Sequence, residues 1–181
     1  ALPPVRAMVN AKTQEIEKRT IAVLVDNEPG VLARVIGLFS GRGYNIESLV
    51  VSEVDPEEHL SRITIVTSGT DMILEQIKAQ LDRLVPVHRV SDLTKELAGE
   101  YVERELALVK VVGKGNKRVE ALRIADIFKA EVVDAGHDHF VFQIQHRSEK
   151  IDRFIRLMRP LGMVDLSRTG VVAIGRGRDP L

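Results

Sequence analysis

Two asparagines carry the chemistry for which this sequence can be read. Asn27 stands in the run Asp26-Asn27-Glu28-Pro29-Gly30-Val31-Leu32, and Asn45 in the run Arg42-Gly43-Tyr44-Asn45-Ile46-Glu47-Ser48-Leu49. A side-chain amide offers a carbonyl acceptor and brings no net charge to desolvate, so two of them suit an ammonium group held in a neutral site. The backbone of the first run offers the complement. Pro at a first helical position gives up only an N–H that has no partner there, Gly beside it admits close approach, and the free N–H groups of a helix start attract an anion. N–H donors at Gly30, Val31 and Leu32 with amide acceptors at Asn27 and Asn45 match an α-amino acid, whose carboxylate only accepts and whose ammonium only donates. A branched aliphatic side chain would then rest against Leu32, Val35 or Ile46. One methylene there changes affinity by only about 1–3 kcal/mol, which leaves valine, leucine and isoleucine hard to separate. Asn27 also has a plainer reading, as a cap for the helix N–H groups, with Pro-Gly as turn punctuation.

The elements that must position these groups follow from periodicity. An apolar run over 20–25 leads into the first turn, after which Leu32, Val35, Ile36 and Phe39 recur at helical spacing. The pattern continues with strands over 44–54 and 60–67, a helix over 72–84 with Ile73, Ile77, Leu81 and Leu84 on one stripe, and a strand over 87–90. Asp55-Pro56-Glu57-Glu58 marks the hairpin turn, and β-branched residues alternate along the strand that follows it. The order βαββαβ predicts a four-stranded antiparallel sheet with both helices on one face, leaving the other face solvated or covered by a partner. The order then repeats: strand 106–112, helix 117–128, strands 131–135 and 140–145, helix 149–157 and strand 163–166, with an apolar run over 171–174 that extends or adds to the second sheet. The sequence therefore divides into an extension over 1–18, a sensing unit over 19–95, a connector over 96–104 and a second unit over 105–181. The fold class is α+β, two ferredoxin-like units in tandem.

The two asparagine-bearing segments resemble the ligand-binding signature of ACT domains, amino-acid-sensing modules of βαββαβ fold. The longer match, Arg34-Val35-Ile36-Gly37-Leu38-Phe39-Ser40 through Gly43-Tyr44-Asn45-Ile46-Glu47-Ser48-Leu49, is similar to the regulatory small subunit of acetolactate synthase (acetohydroxyacid synthase). The similarity runs from about Arg19 to the end and includes Tyr101-Val102-Glu103-Arg104-Glu105-Leu106 and Arg168-Thr169-Gly170-Val171-Val172. The resemblance implies a non-catalytic subunit of branched-chain amino acid biosynthesis that activates a catalytic large subunit and confers feedback inhibition by valine. It places Asn27, Gly30, Val31, Leu32, Asn45 and Ile46 at an effector site on the interface of a homodimer. It puts thiamine diphosphate, magnesium and FAD on the catalytic partner and no cofactor on this chain. Serine-sensing relatives carry a polar residue two places before the asparagine; Val25 stands there here, which weakens any case for a polar ligand. The second unit lacks the signature, since Gly113-Lys114-Gly115-Asn116 has neither the Asn-x-Pro-Gly order nor a following Gly-Tyr-Asn-Ile, and it is assigned a structural or partner-contacting role.

Other features favour bland readings. His137 and His139 on a tight turn, with His146 further on, have no carboxylate or thiolate set at a recognised metal spacing. The turn before the 117–128 helix lacks the full phosphate-loop pattern. Arg176-Gly177-Arg178 reads as a solvated terminus. No nucleophile elbow or paired-carboxylate arrangement marks a catalytic centre. Twenty-six basic residues against twenty-six acidic ones give no net attraction for nucleic acid or an anionic membrane, and cysteine is absent, which excludes disulfides and thiolate chemistry. No apolar run reaches the roughly 20 residues of a membrane span, and the start has no secretory h-region, so a cytoplasmic site is expected, with room for a leader removed before Ala1. Two alternatives from other classes stay open: a freestanding ACT-type sensor acting on transcription or another biosynthetic enzyme, and a small ferredoxin-like enzyme.

Overall fold

The computed structural model describes residues 15–40 and 44–181. Most of the sequence-defined extension, and Arg42-Gly43 of the second asparagine run, lie outside the described residues.

The first unit runs β1 (Ile16–Asp26), α1 (Val31–Ser40), β2 (Asn45–Asp55), β3 (Leu60–Thr70), α2 (Asp71–Asp82) and β4 (Val87–Asp92). Its strands form an antiparallel sheet in the order β2-β3-β1-β4. Val31, Val35 and Phe39 of α1 and Leu74, Ile77 and Leu81 of α2 pack on Ile21, Val23, Val25, Ile63 and Ile65 of the sheet, so both helices share one face. The buried stripe of α2 uses Leu74, whereas Ile73 and Leu84 are only partly buried. Thr70 caps α2, accepting from the Ile73 N–H.

β1 begins at Ile16, inside the segment read as an extension, and pairs with β3 from Ile16 opposite Thr70 onward. Its polar start hides the strand from a hydrophobicity pattern. Arg19 is 3% exposed and meets four carboxylates: Glu17 at 2.8 Å, Glu75 at 3.2 Å, Asp92 at 3.1 Å, and Asp71. Burial opposes the guanidinium charge, but the hydrogen bonds to Asp71 and Glu17 and the Asp92 charge outweigh it and raise the pKa above the ordinary arginine value. A further short helix, α3 (Leu93–Glu96), closes the first unit just ahead of the connector. Asp92 caps it by accepting from the Lys95 N–H.

The second unit runs β5 (Tyr101–Val112), α4 (Asn116–Ile127), β6 (Glu131–Ala135), β7 (His139–His146), α5 (Ser148–Met158), a 3-10 turn (Arg159–Leu161), β8 (Met163–Arg168) and β9 (Val172–Gly175). Four of its strands repeat the first unit's order, as β6-β7-β5-β8. Its core is aromatic, with Phe142 set 5.3 Å from Phe140 and 6.1 Å from Phe154 between ring centroids.

β5 starts at Tyr101 rather than near Leu106, and the extra residues have a purpose. Tyr101 to Arg104 pair with β9, forming a two-stranded ribbon that leaves the second sheet and lies on the helix-free face of the first. Ala173 of the ribbon packs with Ala22 and Leu93, next to Tyr101, Leu97 and Leu181. Arg62 of β3 donates to the Ala173 carbonyl at 2.7 Å. The face expected to be solvated or covered by a partner is thus covered in part by the chain itself, and the end of the tail read as solvated brings Leu181 into that contact.

Candidate effector site

The turn between β1 and α1 is built around Gly30. Asn27 N–H donates to the His59 carbonyl at 2.7 Å, which ties the turn to the β2–β3 hairpin, and Glu28 N–H donates to Asp26 O at 3.0 Å. Gly30 has φ +85, and nothing lies within 4 Å of where its Cβ would be. Its carbonyl accepts the first helical bond, from Arg34 at 3.1 Å, so Gly30 rather than Pro29 borders the helix and Pro29 sits in the preceding turn. The N–H groups of the first helical turn have no carbonyl four residues back within the helix. Val31 N–H finds Glu28 O at 3.4 Å, a long contact. Val31 is buried, and Leu32 is exposed beside it. The result is an open, glycine-floored notch with N–H groups at its mouth.

Asn45 begins β2. Its carbonyl accepts from Thr67 Oγ1 at 2.8 Å, which fixes the backbone, while the residue is exposed. Ile46 turns inward against the first core. Among the described residues the side-chain amides of Asn27 and Asn45 have no hydrogen-bond partner, so the capping role open to Asn27 is not taken up.

The two amides are not brought together within one chain. Asn45 lies opposite Ser68 of β3, and Ser68 lies opposite Lys18 of β1. Asn27 follows β1 nine positions beyond Lys18, which at roughly 3.3 Å per residue puts the asparagines about 30 Å apart, at opposite ends of the sheet. β2 is an edge strand of the sheet, 11 residues long, and Val51 and Val54 on it are 43% and 48% exposed. Ser48 and Gly170, which join β2 to the second unit, were not singled out for this by sequence. Both stand in runs that carried the family resemblance, but their contact depends on a fold-back 123 positions long.

The remaining candidates are structural. His139 is clasped by Asp134 at 2.9 Å and Asp138 at 3.3 Å, and among the described residues no group of three or more His, Asp or Glu side chains could hold a metal. Gly115 precedes α4 with φ +62, and Gly113 N–H donates to Asp138 O at 2.7 Å, a turn tied to a hairpin just as Asn27 is tied to His59. No helix among the described residues is long and apolar enough to cross a membrane.

Tandem βαββαβ units with the strand order 2-3-1-4 define the ferredoxin-like fold of ACT-type modules. Residues 21–89 match the family described as AHAS small subunit-like ACT domain, and residues 104–177 match the small subunit of acetolactate synthase. The chain is 45% identical over 161 residues to the acetolactate synthase isozyme 3 small subunit of Salmonella typhimurium, covering 88% of this chain and 96% of that one. It is 44% identical over 163 residues to the Aquifex aeolicus acetolactate synthase small subunit, covering 90% and 83%. The crystal structure of the Thermotoga maritima small subunit superposes with a TM-score of 0.78 at 34% identity, covering 90% of this chain and 99% of that one. The chain belongs to the acetolactate synthase small-subunit family. It is therefore a regulatory subunit of branched-chain amino acid biosynthesis rather than a catalytic one, and of the readings left open by sequence, the freestanding sensor and the small enzyme give way to it.

Proposed function

We propose that this chain raises the activity of the catalytic large subunit of acetolactate synthase and confers feedback inhibition by valine, which binds between two copies of the first unit. The observation that carries this reading is the separation of two unpartnered amides in one chain, together with the open edge of β2. If two copies pair antiparallel along β2, the start of that strand in one copy lies beside its end in the other. Asp55 and the Asn27 turn stand at that end, through the Asn27 to His59 bond, so Asn45 of one copy approaches the notch of its neighbour. Two equal sites form, each with N–H donors of Gly30 to Leu32 for the carboxylate and two amide carbonyls for the ammonium. Ile46 and Leu32 supply the apolar contact that suits valine, with leucine and isoleucine as weaker or alternative effectors.

Valine inhibits only insofar as it binds two arrangements of the complex with different affinity. Thiamine diphosphate, magnesium and FAD act on the large subunit, and this chain contributes no cofactor ligand. A cytoplasmic setting suits both subunits. The test mixes this protein with a cognate large subunit, supplies the three cofactors and follows acetolactate with and without valine. Addition should raise the rate, valine should lower it, and light scattering should show at least a dimer. Robust turnover by this chain alone, or a strict monomer at micromolar concentration with and without valine, overturns the reading.

A further inference from the structure

Three residues after Asn45, β2 meets the second unit. Ser48 Oγ accepts a hydrogen bond from the Val171 N–H at 2.8 Å. Gly170 packs on the same spot with φ +88, and a Cβ there would lie 2.8 Å from Val50 Cγ2 and 2.9 Å from Ser48 Oγ, so only glycine allows this approach. Behind Gly170 the chain is pinned to β5. Thr169 N–H donates to Leu106 O at 3.0 Å, and Leu106 N–H donates to Thr169 Oγ1 at 3.1 Å. One residue further back, Arg168 forks onto Glu105 at 2.7 and 2.9 Å, and Glu105 also accepts from Ser148, the first residue of α5, at 2.8 Å. Burial alone would lift the Glu105 pKa; Arg168 and Ser148 more than offset it and hold the carboxyl below its usual range, which keeps the fork charged and closed at neutral pH.

A continuous run of contacts thus leads from the start of β2 to the start of α5. Among the described residues, the other side-chain attachments of that strand start stay within the first unit: Thr67 on Asn45, and Ser68 at 2.6 Å and Lys18 at 3.1 Å on Glu47. The pairing of β2 with β3 shifts register between Ile46 and Ser48. A bulge bends a strand and leaves a residue out of the ladder, so Asn45 and Ile46 can move relative to Ser48 without unzipping β2.

We propose that Ser48 and Gly170 are positioning residues whose contact with Val171 relays occupancy of the effector site at Asn45 and Ile46 to the second unit. The proposal rests on the effector reading above and adds the route by which the ligand is felt outside the first unit. Ser48→Ala removes the acceptor and leaves the Val171 N–H without its partner, whereas Ser48→Thr keeps a hydroxyl in place. In the full complex with the large subunit, Ser48→Ala should bind valine within about twofold of the parent by calorimetry, yet need about tenfold more valine for half inhibition, or lose inhibition altogether. Ser48→Thr should restore the parent response. Amide exchange at Val171 should quicken in Ser48→Ala and recover in Ser48→Thr, a readout that needs no ligand. Parent-like inhibition of Ser48→Ala overturns the relay, as does a loss of inhibition matched by an equal loss of binding. If the parent itself neither binds valine nor is inhibited by it, the effector reading fails first and the relay falls with it, whatever the variants do.

Discussion

The two units of this chain are the same fold put to different use. Each has strand order 2-3-1-4, a positive-φ glycine before its first helix, and a turn N–H tied to the carbonyl of a facing hairpin, Asn27 to His59 in one and Gly113 to Asp138 in the other. The scaffold of this turn is therefore present twice, and the proposed ligand chemistry once. Where the first unit has Asn27 and Asn45, the second has Gly113 and Glu131. Their edges differ as well: β2 has 11 residues and β6 has 5. A short edge is a weak template for pairing, a long one a strong template. On the proposed reading, sensing needs the amides and a long edge together, and the second unit has neither.

The sharpest way to break that comparison is through the cores. Phe142 is fully buried amid the second unit's aromatic cluster, whereas the first core is aliphatic apart from Phe39 and the partly buried Tyr44. Phe142→Ala should cost about 3–5 kcal/mol in urea unfolding. Where the variant is still folded, it should bind valine like the parent, because the proposed site draws only on the first unit. A parallel loss of valine binding would show that the units do not divide the work in this way.

Next in size is a matched pair of glycine variants. Gly30→Asp and Gly115→Asp each force a side chain onto a positive φ, with open space around the new Cβ, and each should cost about 1–3 kcal/mol of stability. Only Gly30→Asp sets a negative charge where the effector carboxylate would lie, so it alone should abolish valine binding, by more than about tenfold in calorimetry. Equal valine affinity in the two variants would remove the notch from the site. Asn45→Ala follows, with a loss of about 10- to 150-fold in valine affinity from one hydrogen bond to a charged ammonium and little change in unfolding. If Asn45 reaches the notch across two copies, as proposed, a mixture of Asn45→Ala and Gly30→Asp protomers should regain one intact site per heterodimer. No recovery of valine binding in that mixture would argue against a shared site.

Much of this was legible in sequence because apolar spacing and turn residues speak locally. Both units and their shared topology follow from such patterns. What escaped depends on contacts far apart in the chain. Arg19 stands in a polar run that carries no sign of burial, and its burial comes from Asp71, Glu75 and Asp92 closing around it. The ribbon of β5 and β9 is a strand that changes sheets, and the pattern of Tyr101 to Arg104 does not reveal which sheet it meets. The pairing of Ser48 with Val171 is invisible for the same reason. Even the asparagines, close in sequence and joined by a shared signature, end up at opposite ends of one sheet because a helix lies between them and reverses the chain.

The smallest expected effect concerns the second unit's hairpin, where a histidine stands against carboxylates without forming a site. The hydrogen bonds that His139 makes to the Asp134 and Asp138 carboxylates raise its pKa above the ordinary value, outweighing a small effect of burial. A raised value in the folded state means that the stabilisation is complete below the unfolded pKa, about 6.5, and is lost as pH rises through the folded value. The thermal midpoint of the parent, relative to that of His139→Gln, should therefore fall as pH is taken from about 6 to about 8. The slope should be shallow and should fade in high salt, since these carboxylates face solvent. His146 works in the opposite sense, its pKa lowered first by burial and then by Lys150 and Arg104, so the difference between parent and variant, rather than the parent's own profile, isolates His139. Valine affinity should not change across this series. If it follows the His139 titration, the hairpin of the second unit reaches the effector site, and the division of labour between the two units is wrong.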